Sequence, residues 1–151
     1  MSLQDELKAL KERITELEEL AKEEQEFPQV EDDYWYVIGD AEVILAVWYG
    51  DDYDKGRVSI GNVFKTKEQA EFAVEKLKVE AELRKFSRPF KEDEYNYFIQ
   101  IHPSHNNIVT DSDDYYQTQG TIYFESITIA NEAIDTIGEE RIKKYIFGVE
   151  E

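Results

Sequence analysis

Residues 61–86 read GNVFKTKEQAEFAVEKLKVEAELRKF, and residues 120–147 repeat the wording loosely as GTIYFESITIANEAIDTIGEERIKKYIF. Phe64 aligns with Phe124, Thr66 with Ser126, Ala70 and Ala73 with Ala130 and Ala133, and Val74 and Leu77 with Ile134 and Ile137. Working toward the N-terminus, Tyr34, Tyr36 and Ile38 of YWYVI align with Tyr95, Tyr97 and Ile99 of YNYFI. The triplet Asp51, Asp52, Tyr53 aligns with Asp113, Asp114, Tyr115. Matches that keep their order and nearly constant spacing predict one unit written twice.

Each copy has the same local grammar. YWYVIGDAEVILAVWY is two aromatic and β-branched runs around Gly39, Asp40 and Ala41, a hairpin signal. A polar, aspartate-rich loop follows, then a third short strand at RVSIGNVF. Thr66 is placed to cap the next helix, with Gln69 completing a capping box. Ala70, Ala73, Val74, Leu77 and Ala81 give that helix one apolar face. In the second copy Ser126 is the cap, Gly138 ends or kinks the helix, and EERIKKYIF resumes it with Ile142, Tyr145 and Ile146 as apolar positions. A copy of roughly 55 residues is too short to bury its helix and strands alone, whereas two can share a core. The expected fold is α+β: an N-terminal coiled-coil helix, then two tandem β-β-β-α repeats related by pseudo-twofold symmetry, an antiparallel sheet with helices packed on it. The expected divisions are 1–26 for the coiled coil, 27–33 for a linker, 34–90 for the first repeat and 91–151 for the second.

The N-terminal helix carries a seam. Leu3, Leu7, Leu10, Ile14, Leu17 and Ala21 alternate at four and three, the a/d pattern of a left-handed coiled coil. Lys8, Lys11, Glu12, Glu16, Glu18 and Glu19 occupy the other faces. Such a helix is marginal alone, so it wants a partner. That partner is either another copy, as a parallel or antiparallel dimer or a trimer, or the chain's own globular part. Pro28 and the run Glu31, Asp32, Asp33 then mark a break and a solvated linker.

Bulk composition narrows the function. The chain has 151 residues, 35 acidic against 17 basic, for a formal net charge of -18. A surface so acidic repels DNA, RNA and anionic membranes and speeds encounter with basic partners. Cysteine is absent, which excludes disulfides, thiolate catalysis and thiolate-based zinc sites. Neither a membrane span nor a signal peptide is expected.

Chemistry-bearing residues are few. His102 and His105, in IHPSHNN, have no evident third metal ligand and flank a turn at Pro103. Asp51, Asp52 and Asp54 in DDYD, with Asp111, Asp113 and Asp114 in DSDD, lack the glycine and distal glutamate of an EF-hand loop. They read either as solvated loops or as carboxylates that imitate phosphates before a basic partner. Arg57, Arg84 and Arg88, with Trp35 and Trp48, read as core and helix-end residues, or as a cage for a phosphorylated ligand. No nucleophile elbow, phosphate loop, kinase or metalloprotease motif is present. Neither a metal nor a cofactor is expected, and an enzyme is the least expected class.

The phrase GNVFKTKEQAEFAVEKLKVEAELRKF, preceded by YWYVI and followed by the ending GEERIKKYIFGVEE, resembles a group of small proteins encoded by phages and prophages of Gram-positive bacteria. The resemblance covers about residues 34–151 and leaves the N-terminal helix outside it. It implies a genomic context rather than a reaction, and it transfers no functional residue. By that context, small acidic phage proteins often inhibit host defence or host DNA enzymes, some by imitating nucleic acid. The expectation is therefore an anti-CRISPR-like accessory factor in the bacterial cytoplasm. It binds a basic host or defence protein and self-associates through Leu3, Leu7, Leu10, Ile14 and Leu17. The alternatives are sequestration of a small nucleotide-like signal and a purely structural oligomer.

Overall fold

Ser2 starts the first helix. Its hydroxyl accepts the Asp5 N–H at 3.2 Å, while the Asp5 carboxylate takes the Ser2 hydroxyl at 2.7 Å and the Ser2 N–H at 3.1 Å. This reciprocal cap satisfies donors that a helix N-terminus leaves open. Helix α1 (Leu3–Glu23) follows, with Asp5 and Glu6 in its first turn and Lys22 in its last, signs that suit the helix dipole. An exposed Arg13–Glu16 pair at 3.1 Å adds a small i,i+3 contribution. Those supports are local. Every described side chain from Ser2 to Lys22 is exposed, so no tertiary burial holds α1.

The structure is a computed structural model that describes residues 2–23 and 26–150, the Glu23 side chain excepted. Helix α1 ends at Glu23 and Glu26 is not helical, short of the expected boundary at residue 26; positions 24 and 25 lie outside the described residues. Among the described residues the chain is α+β, with five helices and two antiparallel two-stranded sheets. It divides into two compact units, the first Met1–Ile38 with Glu42–Lys67 and the second Gly39–Ala41 with Glu68–Glu151.

In the first unit, β1 (Asp33–Val37) pairs with β2 (Val43–Val47), Trp35 opposite Leu45. The hairpin signal around Gly39 is realised, and Ala41 takes the left-handed turn position at φ 67°. The expected third strand is not formed. Residues 52–59 are instead helix α2 (Asp52–Ser59), and backbone pairing with β1 is limited to Phe64, which exchanges two hydrogen bonds with Trp35 at 2.8 and 2.9 Å. Asn62 extends that edge with its side chain, donating to the Val37 carbonyl and accepting the Val37 N–H, both at 2.8 Å.

Two end-caps explain why α2 wins over a strand. Asp51 accepts the Asp54 N–H in a capping box. At the other end Gly61, at φ 74°, donates to the Val58 carbonyl and Asn62 donates to that of Arg57. That pair of bonds is a Schellman closure, which needs a left-handed residue.

In the second unit, β3 (Asn96–His102) pairs with β4 (Asn107–Asp113), and Tyr97 bridges to Phe124. Helix α3 (Lys67–Lys85) begins immediately after Thr66. Its buried positions are Ala70, Val74, Val79 and Leu83, whereas Leu77 is 60% exposed and Ala81 is exposed, against the expected single face. The five-residue step from Val74 to Val79 rotates the buried stripe, so the two halves of α3 bury different faces. Val79 and Leu83 join Phe124, Ala130, Ala133, Ile137 and Ile142 in one core cluster. That packing places most of α3 in the second unit. Helix α4 (Ile127–Ile137) lies on β3 and β4, capped by Ser126, whose hydroxyl accepts the Ile129 N–H at 3.1 Å. Gly138 separates it from α5 (Glu139–Tyr145), as expected. The sheets are two separate ribbons, not one shared sheet.

Gly56 and Gly61 test the closure of α2. A Cβ at either meets nothing within 4 Å, but only Gly61 has positive φ. Gly61→Ala is expected to destabilise the protein by about 1 kcal/mol, and Gly56→Ala, inside the helix, to stabilise it by about 0.5 kcal/mol. Thermal unfolding monitored by circular dichroism reads both, and shifts of the same sign would remove the Schellman account.

Candidate functional site

The aspartate runs are not equivalent. Asp51 caps α2, Asp52 is exposed in its first turn, and Asp54 is 3% exposed. Asp111 and Asp113 lie on β4, not in a loop, and Asp114 follows them. The Asp113 carboxylate accepts the N–H groups of Tyr115 and Tyr116 at 2.7 and 3.0 Å, which holds it below its ordinary pKa. Asp51 and Asp113 therefore occupy a helix start and a strand end. Asp52, Asp111 and Asp114 face solvent and can meet a cationic partner, whereas Asp54 cannot.

Asp54 instead anchors a polar network. Its Oδ1 accepts the Tyr34 hydroxyl, and its Oδ2 accepts the N–H groups of Tyr49, Gly50 and, at 3.4 Å, Asp51. Arg57 donates to the Tyr34 hydroxyl at 2.7 Å, approaches Asp54 Oδ1 at 3.7 Å and lies 3.8 Å from the Tyr36 ring centroid. The Trp48 ring meets Tyr34 edge-on at 5.9 Å, and Lys67 lies over Trp35 at 5.8 Å. Burial by itself raises the Asp54 pKa, but the hydroxyl and backbone donors outweigh it and hold the carboxyl below its ordinary value. Tyr34 moves up, through burial and its bond to Asp54. Arg57 thus meets Tyr34, Asp54 and the Tyr36 ring, while Trp48 packs against Tyr34 and Trp35 lies beneath Lys67.

The second unit contains a comparable knot. Asn96 is fully buried; its carbonyl accepts from Arg88 Nη1 at 2.8 Å and Lys91 N–H at 2.9 Å, and its amide reaches the carbonyls of Lys91, Glu94 and Asp113. Arg88 also donates to the carbonyls of Pro89 and Tyr95 and lies 3.6 Å from Glu94. It braces the loop before β3. Arg84 is exposed and borders a cleft of about 210 Å³ lined by Leu83, Ile99, Thr121, Phe124 and Ile142. That volume is below the roughly 300 Å³ at which drug-sized ligand pockets begin. His102 and His105 stack at 4.6 Å in the β3–β4 turn, and His102 Nδ1 accepts the Ser104 N–H. Among the described residues, no group of three or more His, Asp or Glu is placed to hold a metal.

The seam residues lie on one face of α1. Leu3 is 83% exposed and Leu17 49%, with Leu7, Leu10 and Ile14 between these values. Leu20, on the flank, was not counted in the seam and is equally open. Among the described residues, no helix is long and apolar enough to cross a membrane. Comparison of the chain with protein-family models, curated proteins and solved structures finds no match.

Asp54→Asn tests the knot in the first unit. An amide there must turn its NH₂ toward either the Tyr34 side or the three backbone donors, and the variant is expected to lose about 3 kcal/mol near neutral pH. Because the folded pKa is depressed, this stability is present above the ordinary carboxylate value of 3.8 and disappears as pH falls through the folded pKa. Denaturant titrations from neutral to strongly acid pH should show wild type and variant converging at the acid end; a constant gap would mean the carboxylate charge is not what matters.

Proposed function

We propose that this chain is a non-enzymatic accessory protein of a phage or prophage, one that binds and inhibits a basic host or defence protein by presenting carboxylates where that target expects phosphates. The observation that carries the reading is the placement of the charge. The chain has 35 acidic against 17 basic residues, and of the described acidic residues only Asp54 is buried. A field of that sign steers basic surfaces and repels nucleic acid itself. Asp52, Asp111 and Asp114 are the contact residues in this reading. The sequence resemblance supplies the phage context, and the bacterial cytoplasm is where the target resides.

Two further elements belong to the same reading. The exposed leucine seam of α1 makes the protein a homo-oligomer, a dimer or trimer. The two hairpin-and-helix elements are copies of one ancestral unit, with Phe64 equivalent to Phe124 and Trp35 to Tyr97, one position away from the sequence alignment of Tyr36 with Tyr97. Support comes from the matching antiparallel bridges and from the fully buried residue that precedes each bridge, Tyr34 in one and Asn96 in the other.

The test is retrieval of partners from lysate of a Gram-positive host, washed at low and high salt and identified by mass spectrometry, with duplex DNA as competitor. A basic nucleic-acid-binding protein is expected to bind the chain about tenfold more weakly in high salt and to be displaced by DNA. The triple variant Asp52→Asn, Asp111→Asn, Asp114→Asn should bind it less while unfolding like wild type. Affinity indifferent to salt and DNA would sink the mimicry.

A further inference from the structure

We infer that α1 pairs with α1 of a second copy as a parallel two-stranded coiled coil, its orientation set by Glu6 against the partner's Lys11 and Arg13 against the partner's Glu18. The inference rests on the self-association part of the reading above and specifies its geometry.

The seam fixes the register. With spacings of four and three, Leu3, Leu10 and Leu17 occupy d positions and Leu7, Ile14 and Ala21 occupy a positions. The flanking g positions are then Glu6, Arg13 and Leu20, and the e positions are Gln4, Lys11 and Glu18. In a parallel pair each g residue meets the e residue five positions on in the other helix. Glu6 then meets the partner's Lys11, and Arg13 meets the partner's Glu18, so the twofold axis gives four attractive contacts.

An antiparallel pair with full overlap brings g to g and e to e. Arg13 then faces the partner's Arg13, and Lys11 faces the partner's Lys11, and both contacts are repulsive. Leucine at every d position, with β-branched Ile14 at the central a position, selects two strands over three. All six side chains are open to receive the partner: the leucines and Ile14 are about half exposed or more, and Ala21 is exposed. Arg13, paired with Glu16 of its own helix and with 62% of its side chain exposed, can turn to the partner.

The pairing has a consequence for binding. Parallel helices release their C-terminal ends side by side, so two acidic bodies leave the coil at the same end. A target with two basic patches would be engaged bivalently.

The chain contains no cysteine, so one introduced thiol reports orientation without ambiguity. In a parallel pair Ala21 faces the partner's Ala21 in the seam; in the antiparallel pair it faces the partner's Leu3, about 27 Å from the partner's Ala21 at 1.5 Å per residue. The full-length Ala21→Cys variant is oxidised beside Ala9→Cys, whose position is on the outer face, and the mass of the unmodified chain is read by light scattering up to millimolar concentration. The expected results are twice the 17.8 kDa of one chain, rapid cross-linking of Ala21→Cys and slow cross-linking of Ala9→Cys. Glu6→Lys should raise the dissociation constant about fivefold at low salt, and Glu6→Lys combined with Lys11→Glu should restore it. A monomer at every concentration overturns self-association and this geometry together. A trimer mass, or a dimer mass without the Ala21→Cys cross-link, overturns the parallel pair and leaves self-association standing.

Discussion

The first unit is organised around a single buried carboxylate. Asp54 receives the Tyr34 hydroxyl from β1 and three successive N–H groups from the connection between β2 and α2. A buried charge without partners would cost several kcal/mol, so the fold that places Asp54 inside must also deliver those donors. Their delivery sets the rest. The chain must turn at Gly50, α2 must start at Asp51, and Arg57 must face Tyr34 one turn after Asp54. Two short strands and an eight-residue helix have little apolar area to offer, and a saturated polar knot supplies the uniqueness that packing alone gives larger domains.

The second unit solves the same problem with a neutral group. Asn96 can both donate and accept, so it ties Arg88, the 91–94 loop and the end of β4 together without burying a net charge. Around it the unit has what the first lacks, a contiguous apolar cluster from α3, α4, α5 and Phe124. Asn96 is therefore a local brace beside a core, whereas Asp54 takes the place of one.

Function follows from what these interiors leave outside. Arg57 and Arg88, the arginines most suited to gripping a phosphate, are consumed by the two knots, while among the described acidic groups only Asp54 is buried. The same partition isolates α1. It is capped, correctly charged at both ends and amphipathic, yet every described side chain from Ser2 to Lys22 is exposed. In the proposed reading its apolar stripe and the surrounding acid act at different places, one toward a like chain and the other toward a basic partner.

Much of this was legible in the sequence. The alternation of YWYVI and VILAV gave the first hairpin, Ser126 and Gly138 marked the limits of α4, and the four-three spacing of leucines marked α1. Each of these signals is local, carried by periodicity or by a cap within a few residues. What the sequence could not settle was the fate of residues whose partners are remote. RVSIGNVF has the β-branched composition of a strand, and it became the end of α2 because the caps at Asp51 and Gly61 and the tie from Arg57 to Tyr34, 23 positions away, outweigh that propensity. DDYD looked like one solvated run, and only the fold separates Asp52 at the surface from Asp54 inside. Likewise α3 showed one apolar stripe, but which of its faces is buried depends on what Phe124, Ala133 and Ile142 present to it. By itself the sequence determined the first hairpin, the limits of α4, the stripe of α1 and the sign of the surface. Only the tertiary structure decided which charged groups are partners of one another, because burying a charge depends on donors that the folded chain brings from elsewhere.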